Sequence, residues 1–71
     1  MKYIIAIDYN LNHTEYVAEG NNYIVNGAIY VPLTGSASEA RRYKTRKIAE
    51  RASERNGENM WGRVRIIEVE E

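Results

Sequence analysis

The amino-acid sequence predicts an α+β domain: a three- or four-stranded, mainly antiparallel sheet with one helix packed on one face, in the order β-β-(β)-β-α-β. Three features carry this. Lys2 to Tyr9 is apolar on both parities, as a strand in the middle of a sheet is. Asn26-Gly27 sits between two short β-rich runs, the strongest local hairpin pattern. Ser36-Ala37-Ser38-Glu39 precedes a segment rich in Ala, Arg, Lys and Glu, as a capping box precedes a helix.

In chain order, Tyr3, Ile5, Ile7 and Tyr9 form one face of the first strand, and Ile4 and Ala6 the other. Asn10 to His13 reads as a turn, since Asn tolerates left-handed backbone and caps its own turn. Glu15 to Glu19 is expected to return as a second strand, broken by Gly20-Asn21-Asn22. Tyr23-Ile24-Val25 and Ala28 to Val31 flank the type I′ turn, and Pro32 ends the ladder or places it at an edge. The helix is expected from Ala37 to Asn56, with Gly57 as its C′ glycine. Its sheet-facing arc holds Ala37, Ile48, Ala49 and Ala52, with Thr45 and the stem of Arg41. Glu39, Tyr43, Arg46, Lys47, Glu50 and Glu54 face outward. Trp61 opens the last segment, and Arg63 to Ile66 alternates as a strand. Ile67 and Val69 fall on the other parity, so that strand is apolar on both sides or carries a bulge. It is expected beside the N-terminal strand, and Glu70-Glu71 is expected to fray.

The 71 residues, with ten basic and ten acidic side chains and no cysteine, fit a single domain, 1–71. Such a chain buries only about 60% of its unfolded surface. Disulfides and thiolate metal sites are excluded, so self-association as a homo-oligomer is the expected source of extra stability. The longest apolar run is Ile4 to Ile7, too short to span a membrane, and Met1-Lys2 leads straight into a strand, so a cytoplasmic location is expected. Charge is segregated. Residues 36–57 carry seven cations against three glutamates, a net of +4, between two flanks of −2 each. A basic stripe of this kind holds phosphates or is an ordinary solvated face.

Candidate sites are few. His13 lacks the companions of a zinc site. Ser36 and Ser38 are explained as caps, and no general base accompanies them. Asp8 and Glu15 read as solvated carboxylates, and the glycines are scattered singly, which gives no phosphate loop. No enzymatic constellation and no cofactor are expected. Tyr43, outside the sheet-facing arc and set among Arg and Lys, and Trp61, beside Met60, are the aromatics open to a partner. Arginine with aromatics makes hot spots in interfaces and stacking-plus-charge sites for nucleotides.

Ala40 to Arg51 follows the pattern A-x-x-Y-K-T-x-K-x-A-E-R, the chain opens with Lys-Tyr-Ile-Ile, and it closes with an Ile-Ile-Glu-Val strand. In this layout the sequence resembles small early-region proteins of phages that infect Gram-positive bacteria. The resemblance implies a non-enzymatic counter-defence or host-takeover protein in the host cytoplasm. Such a protein would act by stoichiometric binding, to a CRISPR-Cas effector or another bacterial defence protein, or by sequestering a cyclic or other signalling nucleotide. The expected binding residues are Arg41, Arg42, Tyr43, Arg46, Lys47 and Trp61. In the protein-target version Arg42, Tyr43, Arg46, Lys47 and the Trp61 neighbourhood form the surface. In the nucleotide version Arg41, Arg42 and Arg46 hold phosphates while Tyr43 or Trp61 stacks on a base. The alternative is a small nucleic-acid-binding phage regulator that uses the basic helix 37–56, with a steep salt dependence.

Overall fold

The computed structural model describes residues 1–54 and 57–70. Its elements are β1 (Lys2–Asn10), β2 (His13–Val17), β3 (Tyr23–Val25), β4 (Ala28–Tyr30), β5 (Leu33–Thr34), a 3-10 turn (Ala37–Glu39), α1 (Arg46–Ser53) and β6 (Arg63–Val69). The main sheet has the order β5-β2-β1-β6, and every pairing is antiparallel. The expected fold class is the observed one.

β1 is the spine. Ile4, Ile5, Ala6 and Ile7 are all buried. Ile5 and Ile7 join Val17, Val31, Ala49 and Met60 in the core beneath α1, with Tyr3, Tyr9, Val64 and Ile66 packed around them. Each fully buried Ile contributes roughly 1.5–3 kcal/mol. β6 pairs with β1 without a break, from Lys2↔Val69 to Asp8↔Arg63. The parity change in the last strand is therefore not a bulge. Val64 and Ile66 share the helix face with Ile5 and Ile7, while Ile67 lies opposite Ile4 on the far face. The irregularity falls in the β1–β2 ladder instead, between Asp8 and Asn10. On that far face Asp8 accepts from Arg65 Nε at 2.5 Å, Arg65 Nη2 at 3.0 Å and Thr14 Oγ1 at 2.7 Å. These bonds hold its carboxyl below the ordinary range.

The β1–β2 turn closes as its sequence suggests, with Asn10 Oδ1 accepting from Asn12 N at 2.8 Å. β2 starts and ends two residues earlier than expected, and Ala18 keeps a single bridge to Ala40. The Asn26-Gly27 hairpin forms with both residues at positive φ (51° and 82°). It stands apart as a two-stranded sheet of its own, because Pro32 interrupts the chain before β5 resumes pairing with β2. Asn59 ties the hairpin foot to the body: its Oδ1 accepts from Val31 N at 3.0 Å and its Nδ2 donates to Val31 O at 2.7 Å.

The largest departure concerns the helix. In place of one rod over 37–56 there is a short 3-10 turn, an extended stretch at 40–43, and an eight-residue α1. The expected helix end, Arg55 and Asn56, lies outside the described residues, as does Glu71. The cause is backbone pairing. Tyr43 N donates to Tyr3 O at 2.8 Å, Tyr3 N to Tyr43 O at 2.9 Å, and Arg41 N to Val17 O at 2.8 Å. The segment thus fills the gap where β2 parts from β1, and its amides are not available to a helix. The Ser36 capping box does not form: the Glu39 carboxylate takes the Thr34 hydroxyl at 3.0 Å, and Ser36 Oγ pairs with Ser38 Oγ at 2.8 Å. Thr45 is the true cap, its Oγ1 accepting from Ile48 N at 3.1 Å. Gly57 is buried beside Val31, and an added Cβ would lie 2.8 Å from Val31 Cγ2. Close packing explains this glycine, since its φ is not positive.

Thr45→Ala is expected to cost about 1 kcal/mol, a fall in melting temperature of roughly 4–8 °C for a chain of this size. Ser36→Ala is expected to stay within about 0.5 kcal/mol. Thermal melts of the two variants check the position of the cap.

Candidate functional site

The extended segment and α1 enclose a cleft of about 360 Å³ against the foot of the hairpin. Pockets of this size hold small ligands. Its floor is Val17, Met60 and the Tyr43 ring. One wall is Ile48, Arg51 and Ala52, which share a face of α1 through i, i+3, i+4 spacing. Arg41, from the extended segment, and Gly20, Asn22, Val31 and Pro32 also line it. Both charged groups in the lining are guanidinium groups. Arg41 lies over the Tyr43 ring at 5.7 Å, and its Nε is 4.0 Å from Glu19, an exposed contact worth little in water. Arg51 has no ion pair among the described residues. The arrangement suits a flat, anionic ligand: guanidinium forks for oxyanions above an apolar and aromatic floor.

Extended backbone alternates its side chains, and this decides the fate of the six residues singled out by sequence. Arg41 and Tyr43 fall on the helix side and come together in the cleft. Arg42 points to the other side, where its Nη1 donates to Ser38 O at 3.4 Å and Ala40 O at 3.3 Å, so it does not join Arg41. Arg46 opens α1 with its guanidinium over the Tyr3 ring at 5.4 Å, and Lys47 is exposed on α1. Trp61 stands beside Tyr9 with ring centroids 4.4 Å apart. Tyr43 stands beside Tyr3, at the other end of β1, roughly 20 Å away at the rise of a strand. The Trp61 and Tyr43 rings line different hollows.

Tyr43 is the clearest correction. It is half-buried against the core, not exposed on a helix, and burial pushes its hydroxyl above the ordinary range despite the nearby Arg41. Sequence reasoning also missed Arg51, Asn22 and Met60 as parts of one site. Thr45 ahead of Ile48 was the usable cue: with a cap at Thr45, Ile48, Arg51 and Ala52 read as one face.

Among the described residues no group of three His, Cys, Asp or Glu is placed to hold a metal ion, and no helix is long and apolar enough to cross a membrane.

A raised Tyr43 pKa favours the neutral phenol in the folded state. Its contribution to stability is present below the ordinary tyrosine value near 10 and is lost as pH rises through the folded value. Alkaline titration of phenolate absorbance should show Tyr43 ionising late. Tyr43→Phe should remove that step and lessen the loss of stability, followed by urea denaturation, between pH 8 and pH 11. Ionisation in step with exposed tyrosines would contradict the burial. Comparison with protein-family profiles, with curated proteins and with solved structures finds no match to this chain.

Proposed function

We propose that this protein acts by stoichiometric binding, and that the cleft between α1 and the hairpin foot takes a nucleotide-like anion. The carrying observation is that Arg41 and Arg51 line one cleft together with Val17, Met60 and Tyr43. Phosphate oxygens would meet the two guanidinium groups through charge-assisted hydrogen bonds, and a base would lie on the floor. Taken with the sequence's resemblance to phage early-region proteins, this reads as counter-defence by sequestration of a signalling nucleotide in the host cell.

Calorimetric titration with cyclic di-AMP, cyclic GMP–AMP and AMP tests the reading. Saturable binding of a cyclic species is expected. Arg41→Ala and Arg51→Ala should each weaken it about ten-fold or more, as the loss of a hydrogen bond to a charged group does, while Lys47→Ala should change it less than two-fold. Absence of binding by all three nucleotides, or equal loss with Lys47→Ala, would count against the cleft. The same titration in rising salt separates the alternative of nucleic-acid binding. That reading now has to draw on cations divided between an extended segment and α1, and a steep salt slope with single-stranded oligonucleotide would favour it.

The hairpin favours a second reading, contact with another protein chain. Ile24 and Ile29 face each other across the β3–β4 ladder and are 71% and 51% exposed. A lone two-stranded ribbon is marginal in water, and the outer edge of β3 is open to pairing with β3 of a second copy. Sedimentation should find an oligomer at micromolar concentration that Ile24→Glu with Ile29→Glu converts to monomer. A monomer throughout would exclude self-association by this edge.

A further inference from the structure

We propose that the Tyr9–Trp61 corner of the sheet carries a second site, opposite in charge to the arginine cleft, which receives an arginine side chain of a partner protein. The Tyr9 and Trp61 rings meet at 57° with centroids 4.4 Å apart. This corner opens on a hollow of about 370 Å³ that Tyr23 and Glu15 also line. Two tilted rings and a third aromatic around a small hollow are the elements of a cage for an organic cation, whose charge is attracted by the ring faces. Trp61 is 72% exposed. The core closure at this point falls to Met60, which is buried, so the indole is not needed for packing.

The charge of the lining sets the class of occupant. Among the described residues of the lining Glu15 is the one carboxylate, and His13 is the one basic side chain, with no Lys or Arg. Glu15 Oε2 is positioned by His13 Nε2 at 2.7 Å, and His13 is the partner it has among the described residues, so the carboxylate keeps acceptor capacity. The Tyr9 hydroxyl is committed to the carbonyl of Asn59 and His13 lies against the Tyr9 ring with centroids 5.1 Å apart, so the exposed Trp61 indole supplies the face for contact. A guanidinium group satisfies both halves of the site at once: its plane stacks on an aromatic ring while its edge donates to a carboxylate. A quaternary ammonium has no N–H to donate, and a primary ammonium meets ring and carboxylate only as a point charge, without a stacking plane or a two-pronged edge. Arginine is therefore the occupant the geometry selects.

The chain has one tryptophan, so its emission reports this site directly. Nα-acetyl-arginine amide is titrated at pH 8 and constant ionic strength, against its neutral isostere Nα-acetyl-citrulline amide and against tetramethylammonium. The arginine derivative should give a saturable change that citrulline does not. Glu15→Gln, which keeps the indole, should weaken the response at least five-fold, whereas Arg41→Ala, in the other site, should leave it unchanged. Circular dichroism of Glu15→Gln checks that the fold persists. Trp61→Phe, followed by chemical-shift changes at Tyr9 and Glu15, gives a readout independent of emission and should retain selectivity for arginine over citrulline. Equal responses to arginine and citrulline, no saturation with arginine, or equal affinity of Glu15→Gln would overturn the proposal. Tighter binding of tetramethylammonium than of arginine would overturn the choice of occupant. Because this site and the cleft are lined by different residues, failure of one leaves the other standing.

Discussion

The structure depends on one backbone junction: the docking of residues 40–43 into the gap between β1 and β2. Two reciprocal hydrogen bonds between Tyr3 and Tyr43 and a third from Arg41 N to Val17 O fix the segment in extended form. Their individual net value is modest, about 0.5–1.5 kcal/mol each, but their consequences are geometric. An amide spent on the sheet edge cannot cap or extend a helix, so α1 begins only after Thr45. Alternation along extended backbone then sends Arg41 and Tyr43 to one side and Arg42 to the other. The cleft exists because the chain crosses from sheet edge to helix within two residues, leaving α1 beside the hairpin foot with space between them.

Burial follows the same logic. β1 hides side chains on both faces, yet α1 is short and its inner surface is small, with Ala49 fully buried and Ala52 partly so. Small residues allow close approach to the sheet but remove little apolar area from water. The rest of the cover comes from irregular chain: Val31 from the hairpin foot, Met60 from the connector before β6, and Tyr43 from the docked segment. Residues 57–62 approach so tightly that Gly57 and Gly62 have no room for a Cβ. At Gly62 a methyl would lie 2.6 Å from the Asp8 carbonyl oxygen.

Most of the sheet was legible because its determinants are local. The two-sided apolar run of β1, the Asn26-Gly27 turn and the alternation in β6 each specify an element within a few residues. The long helix was misread because Ala40 to Lys44 has helix-compatible composition, and propensity is a weak preference that tertiary pairing overrides. Nothing within the segment announces that Tyr3 and Val17 await its amides. The same error hid the cleft. With Tyr43 assigned to an outward helix face, its ring was counted as exposed, and Arg51 was one cation among seven. Arg41 stands out in the sequence because a cation among apolar neighbours needs a partner, and the fold places it in the lining of the cleft. Trp61 was also singled out, but its neighbours Tyr9, Tyr23 and Glu15 come from three strands that only the fold brings together.

The two hollows thus differ in chemistry, one lined by Arg41, Arg51 and Tyr43 and the other by Tyr9, Tyr23, Trp61 and Glu15. The cleft depends on where residues 40–43 lie, since a continuous helix from Ala37 would swing Tyr43 outward. Assigned nuclear Overhauser spectra of the protein in solution test this most directly. The account predicts cross-segment contacts between Tyr3 and Tyr43 and between Val17 and Arg41, with extended carbon chemical shifts from Ala40 to Lys44. Helical shifts running unbroken from Ala37 into α1, with sequential amide contacts through Tyr43 and none to Tyr3, would contradict it.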